Sequence, residues 1–126
     1  MKESIIKNKS FEFALRILDL YKEMQDKKEY VLSKQILRSG TSIGANVVEA
    51  LAGQTKKDFA YKMSIASKEA RETLYWLELI EYAVIIENTK IKTLKNDIDS
   101  IIKILTSIVK TTQQNLTKNS TPKTQN

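Results

Sequence analysis

Apolar residues recur along this chain at helical spacing. Phe13, Ile17, Leu20 and Met24 make a first stripe, one face of a 3.6-residue period, within a helix predicted from Ser10 as N-cap to Lys27. After a break at Asp26–Glu29, residues 30–53 carry Leu32, Ile36, Ile43, Val47 and Leu51 on one face, with Gly53 predicted as the C′ residue that ends the helix. Thr55 is predicted to cap a third helix reaching Ile86, with Asp58 three residues on in a capping-box arrangement. Its core line is Phe59, Met63, Ala66, Ala70, Leu74 (beside Thr73), Leu77 and Val84. The bend ENTKIK, Glu87–Lys92, leads to a fourth helix, Thr93–Thr112, striped by Leu94, Ile98, Ile101, Leu105, Ile108 and Thr112. Short connections between long amphipathic helices favour antiparallel neighbours. The expectation is an all-α, antiparallel up-down-up-down four-helix bundle over residues 1–112. Residues 113–126, QQNLTKNSTPKTQN, read as a disordered basic and polar tail.

The second helix is unusual in its middle. Gly40 and Gly44 sit in its interior, each costing about 1 kcal/mol against alanine, and close approach of another backbone would explain both. A second line reads Gln35, Ser39, Ser42, Asn46, Glu49 and Gly53. It could line a ligand groove, but a close-packing seam with polar atoms bonded across it is the favoured reading. Glu49 lies among Val47, Val48, Ala50 and Leu51, and a buried acid needs a partner. Arg71 is favoured over Lys68 and Arg38 for that role; the alternative is an exposed acid at a helix end.

Composition narrows the chemistry. One proline and three glycines in 126 residues suit long helices. Without cysteine or histidine there is no disulfide frame, no thiolate, no serine or cysteine triad and no common zinc set. The pairs Glu69 with Glu72 and Asp97 with Asp99 have no nucleophile or ligand set around them, and Gly40–Gly44 lacks the lysine of a phosphate loop. No cofactor, metal or catalytic residue is therefore assigned. The start MKESIIKNKS lacks the apolar stretch of a signal peptide and no run approaches eighteen apolar residues, so a cytoplasmic protein without a membrane partner is expected.

The net charge of +6 is unevenly spread. Residues 1–9 contribute +2 and residues 100–126 contribute +4, leaving 10–99 neutral. Tyr61, Tyr75, Trp76 and Tyr82 interleave with Lys62, Lys68 and Arg71. Such residues can stack on unpaired bases, although aromatic side chains at helical spacing are more often core or subunit interface. Trp76, on the line Ile65, Glu69, Glu72, Trp76, Leu79, suits a partner helix better than a phosphate.

The strings SKQILRSGTSIGANVVEA and KKDFAYKMSIASKEARETLYWLELI, with the start SFEFALRI, resemble the bacterial four-helix-bundle family of 23S rRNA intervening-sequence proteins over about Phe11 to Leu105. The resemblance implies a non-catalytic helical protomer assembled into a ring, a homopentamer. Many such proteins are encoded within sequences inserted into large-subunit rRNA genes. A related branch is an accessory factor beside the reverse transcriptase of diversity-generating retroelements, where a basic ring surface meets nucleic acid and enzyme. This chain departs in the neutrality of its middle.

Two functional classes follow. One is an oligomeric, RNA-associated accessory protein whose basic ends gather around a ring. Its candidate contacts are Lys118 and Lys123, with Lys56, Lys57, Lys62, Lys68 and Arg71 on the folded surface. The other is a protein-interaction scaffold without nucleic-acid contact. Gln35, Arg38, Ser39, Ser42, Asn46, Glu49, Arg71 and Trp76 are the candidate structural and interface residues.

Overall fold

In a computed structural model, which describes residues 2–120, four helices follow one another: α1 Lys2–Asp26, α2 Val31–Leu51, α3 Lys56–Ala83 and α4 Asn88–Ser120. Helix α1 packs on α2 and α4, α2 on α3, and α3 on α4, the closed square of an up-down-up-down bundle. Ile17, Leu20, Ile36, Ile43, Met63, Leu77, Ile98 and Leu105 are among the fully enclosed side chains at its centre.

Helix α1 starts eight residues before the predicted cap. Its buried line is Ile6, Ser10, Phe13, Ile17, Leu20 and Met24, in alternating steps of four and three. Ser10 is a buried member of that stripe, its hydroxyl donating to the Lys7 carbonyl at 3.2 Å, and not a cap. A polar residue inside a stripe reads as a boundary when only apolar residues are followed.

Both long-helix exits close without glycine. Lys28 (φ 62°) and Val84 (φ 54°) take the left-handed conformation. After α1, Glu29 N–H donates to the Met24 carbonyl and Lys28 N–H to Gln25; after α3, Ile85 N–H donates to Ile80 and Val84 N–H to Glu81. These are six-to-one and five-to-two bonds, the Schellman pattern. It ends α3 at Ala83, three residues short of the predicted Ile86, and leaves Val84, predicted as core, 78% exposed.

The entries are capped by side chains. Glu29 Oε1 accepts from Val31 N–H at 2.9 Å and Leu32 N–H at 2.6 Å at the head of α2. As predicted, Thr55 Oγ1 accepts from Asp58 N–H at 3.0 Å at the head of α3. Gly53 does follow the α2 C-cap, Ala52, but no glycine here has a positive φ. Space is what Gly53 supplies, since a Cβ there would stand 3.1 Å from the Ala50 carbonyl oxygen.

Helix α4 departs furthest from expectation. It begins at Asn88 and continues through residues 113–120, eight residues predicted to belong to the disordered tail. Leu116 is half-buried there, and Lys118 lies in the last turn, where a cation favours a helix C-terminus. Residues 121–126, the rest of that predicted tail, lie outside the described residues.

Candidate nucleic-acid interface

Up-down-up-down topology brings the start of α1, the end of α2, the start of α3 and the end of α4 to one end of the bundle. A hollow lined by Glu3, Gly53, Thr55, Lys56, Phe59, Thr111 and Asn115 marks that meeting. In this half, residues 2–13, 41–68 and 104–120, nine lysines (2, 7, 9, 56, 57, 62, 68, 110 and 118) stand against four acids (Glu3, Glu12, Glu49 and Asp58). The other half, residues 14–40 and 69–103, holds eleven basic and eleven acidic side chains. The basic excess of the described residues is therefore confined to one end.

Ion pairing sharpens the contrast. Arg16–Asp97 at 2.7 Å, Lys90–Glu23 at 2.6 Å, Lys95–Glu81 at 2.9 Å and Lys103–Asp99 at 3.2 Å neutralise cations of the balanced half. Arg38 adds a pair with Glu69 at 3.2 Å and one with Glu72. Among the described residues, the basic half contains one such pair, Lys62–Glu49 at 2.7 Å. The Glu49 carboxylate accepts a hydrogen bond from Lys62 and its charge adds to the effect, raising the lysine pKa above its ordinary value. Lys2 donates to Ser107 Oγ at 2.6 Å. The other seven lysines of this half have no carboxylate partner among the described residues.

On the α3–α4 side a groove is lined by Ser67, Arg71, Thr106, Val109, Lys110, Gln113, Gln114, Thr117 and Lys118. It holds three cations and no acid. Arg71 reaches across the seam and donates from one guanidinium nitrogen to Thr106 Oγ1 at 3.0 Å. Four of these nine residues come from the turns of α4 beyond Thr112, so the groove extends this far because that segment is helical.

The predicted contact residues divide accordingly. Arg71 and Lys118 share the groove; Lys56 and Lys57 are exposed on the first turn of α3, and Lys68 is exposed further along it. Lys62 is engaged by Glu49. Lys123 lies outside the described residues. Lys110 was missed, although its place one turn before Gln114 on a continued helix would have pointed to it.

The α2–α3 seam corrects two other expectations. Ser39 is buried with its hydroxyl 2.9 Å from that of Thr73, which also lies 2.8 Å from the Glu69 carbonyl. Ser42 and Asn46, predicted to bond across the seam, donate back to the carbonyls of Arg38 and Ser42 on their own helix, the usual i−4 outlet for short polar side chains. Gln35 is exposed. Glu49 pairs with Lys62 and not with Arg71, and its side chain is 56% exposed. Helix α2 presents it beside residue 62 because antiparallel α2 and α3 run past each other at that level, while Arg71 leans toward α4.

Trp76 is half-buried; its Nε1–H donates to Glu72 Oε2 at 3.0 Å and its ring meets Tyr75 edge-on at 5.1 Å. With Arg38 it belongs to the charged cluster of the balanced half. Among the described residues no group of three or more acidic side chains is placed to hold a metal, and no helix is long and apolar enough to cross a membrane.

A family model for the 23S rRNA-intervening sequence protein matches residues 2–107. A solved crystal structure, of a protein with unknown function from the S23 ribosomal protein family of Bacteroides thetaiotaomicron, is 51% identical, with a TM-score of 0.84. The alignment covers 87% of this chain and 99% of that one. No curated protein gives a significant match.

Proposed function

The chain belongs to the family of 23S rRNA-intervening sequence proteins, and we propose that it acts there as a non-catalytic, oligomeric accessory protein that associates with RNA through the basic end of its bundle. The observation that carries this reading is the segregation of charge: nine lysines against four acids at one end, and balance at the other. Seven of those lysines keep their charge free for an external anion. Phosphates are the polyanion such a surface suits, and the attraction needs no base recognition. The absence of histidine and cysteine from the sequence agrees with a binding role over a catalytic one.

Self-association into a ring, a homopentamer in the family pattern, forms part of the proposal. Between α1 and α2 runs a groove lined by Phe11, Ala14, Thr41, Gly44, Ala45 and Val48, with Phe11 62% and Val48 54% exposed. Unspent apolar surface of this kind marks contact sites. It lies on the first and second helices, and the third adds exposed Tyr61, Tyr75 and Tyr82. Gathering several basic ends in one assembly would multiply weak phosphate contacts on a shared strand.

Titration of full-length protein onto labelled RNA at low and moderate salt tests the reading. Affinity should fall steeply with salt, by a log–log slope of about −0.7 for each phosphate contact on a single strand. Absence of binding at low salt would leave the alternative, a protein scaffold that docks an enzyme partner such as a reverse transcriptase.

A further inference from the structure

Within that RNA-binding reading, on which this inference rests, we propose that the α3–α4 groove is the seat of a single strand, and that Arg71, Lys110 and Lys118 hold its phosphates. The charged side chains lining the groove are all cations, and its remaining polar lining is the hydroxyls of Ser67, Thr106 and Thr117 and the amides of Gln113 and Gln114. The Arg71 guanidinium is held toward the groove by Thr106 at 3.0 Å, so less of its freedom is lost on meeting a phosphate. Helices packed about 8–10 Å apart leave a furrow that admits one backbone rather than the paired backbones of a duplex. From Thr106 to Lys118 the wall runs about 18 Å at 1.5 Å per residue, the length of about five stacked nucleotides at about 3.4 Å each.

The segment 113–118 supplies four of the groove's nine lining residues. Its one large apolar side chain is Leu116, so core packing alone is a weak reason for four more residues of wall. Their chemistry, two amides, a hydroxyl and a lysine, is what a sugar-phosphate chain would be met by.

The test uses a labelled six-nucleotide single-stranded RNA, a blunt RNA duplex of the same length, and fluorescence anisotropy from 50 to 200 mM salt. Three contacts would make the single strand lose about 20-fold in affinity over that range. The triple variant Arg71→Gln/Lys110→Gln/Lys118→Gln should lose that component, its slope becoming shallower by about 2. The comparison variant Lys7→Gln/Lys56→Gln/Lys57→Gln removes equal charge from the basic end outside the groove and should flatten the slope by clearly less than the groove variant does. Equal losses in the two variants, or a duplex bound as well as the single strand, would overturn the groove while leaving the RNA-binding reading in place. Wild-type protein that binds neither RNA would sink that reading itself. Helical circular dichroism of both variants separates lost binding from lost fold.

Discussion

Two glycines one turn apart on α2 should respond to alanine in opposite directions. At Gly40 an added Cβ would stand 2.8 Å from Ile17 Cγ1, 3.0 Å from Cγ2 and 3.3 Å from Cδ1. Ile17 is fully enclosed and, being β-branched on a helix, has one favoured χ1, so its two γ carbons cannot both swing aside. Overpacking of this kind costs about 1–3 kcal/mol, and the better helix propensity of alanine returns about 1 kcal/mol. With three crowded atoms the expected net loss for Gly40→Ala is about 1–2 kcal/mol. At Gly44 the nearest atoms are Ser10 Oγ at 3.4 Å and the Ser10 carbonyl at 3.5 Å, ordinary contact distances. Gly44→Ala should therefore stabilise by up to about 1 kcal/mol. Thermal unfolding followed by circular dichroism would show a lower Tm for the first and a higher one for the second, by about 4 °C per kcal/mol at this chain length. A sizing column run beside each melt guards against a change of assembly at the α1–α2 groove. The double-mutant cycle isolates the clash: Ile17→Ala should cost less in the Gly40→Ala background than alone, because the new methyl occupies vacated space. Additive effects, or a raised Tm for Gly40→Ala, would refute the reasoning.

Glu49→Ala should leave stability nearly unchanged, as loss of a solvent-exposed pair does, and a denaturation midpoint shifted well down would restore a buried partner. Donating a hydrogen bond to the Glu49 and Glu23 carboxylates raises the pKa of Lys62 and Lys90 respectively. The stability these pairs give is therefore complete below the ordinary lysine value and lost only as pH rises through the raised ones, so urea midpoints should show no pH dependence from these two lysines between about pH 6 and 9. Val84→Gly should raise Tm, because relieving a left-handed β-branched residue is worth about 1–2 kcal/mol against about 0.5–1 kcal/mol of glycine entropy; a lowered Tm would mean that the exposed valine packs on something. Light scattering should give a mass several times 14.4 kDa, and Phe11→Asp should reduce it; a monomer at micromolar concentration in the wild type would end the ring proposal.

Helix number, order and most of the core were legible because burial in a bundle follows the 3.6-residue period almost without exception: Ile36, Ile43, Val47, Met63, Ala66, Ala70 and Leu77 are all enclosed. Boundaries were less so. Ser10 stands in a buried stripe and imitates a cap. The α3 exit uses Val84 where convention expects glycine, and the polar turns 113–120 remain helical with one half-buried leucine to hold them. The glycines of α2 were legible in purpose but not in partner. Gly44 does meet backbone, the Ser10 carbonyl, whereas Gly40 makes room for the side chain of Ile17.

Charge shows why the candidate site needed the topology. Along the chain the excess of lysine looks like two basic termini flanking a neutral middle of ninety residues. That neutrality is an average over two unlike halves, since residues 41–68 carry Lys56, Lys57, Lys62 and Lys68 against Glu49 and Asp58. Folding α1 to α4 antiparallel stacks this locally basic stretch beside both termini, while the acids of residues 69–99 are carried to the far end, where arginines and lysines pair with them. A polyanion meets the sum at one end, not the average along the sequence. A neutral middle along the sequence and a basic end of the bundle are therefore compatible, and the groove lined by Arg71, Lys110 and Lys118, at the border of that end, gathers three cations and no acid.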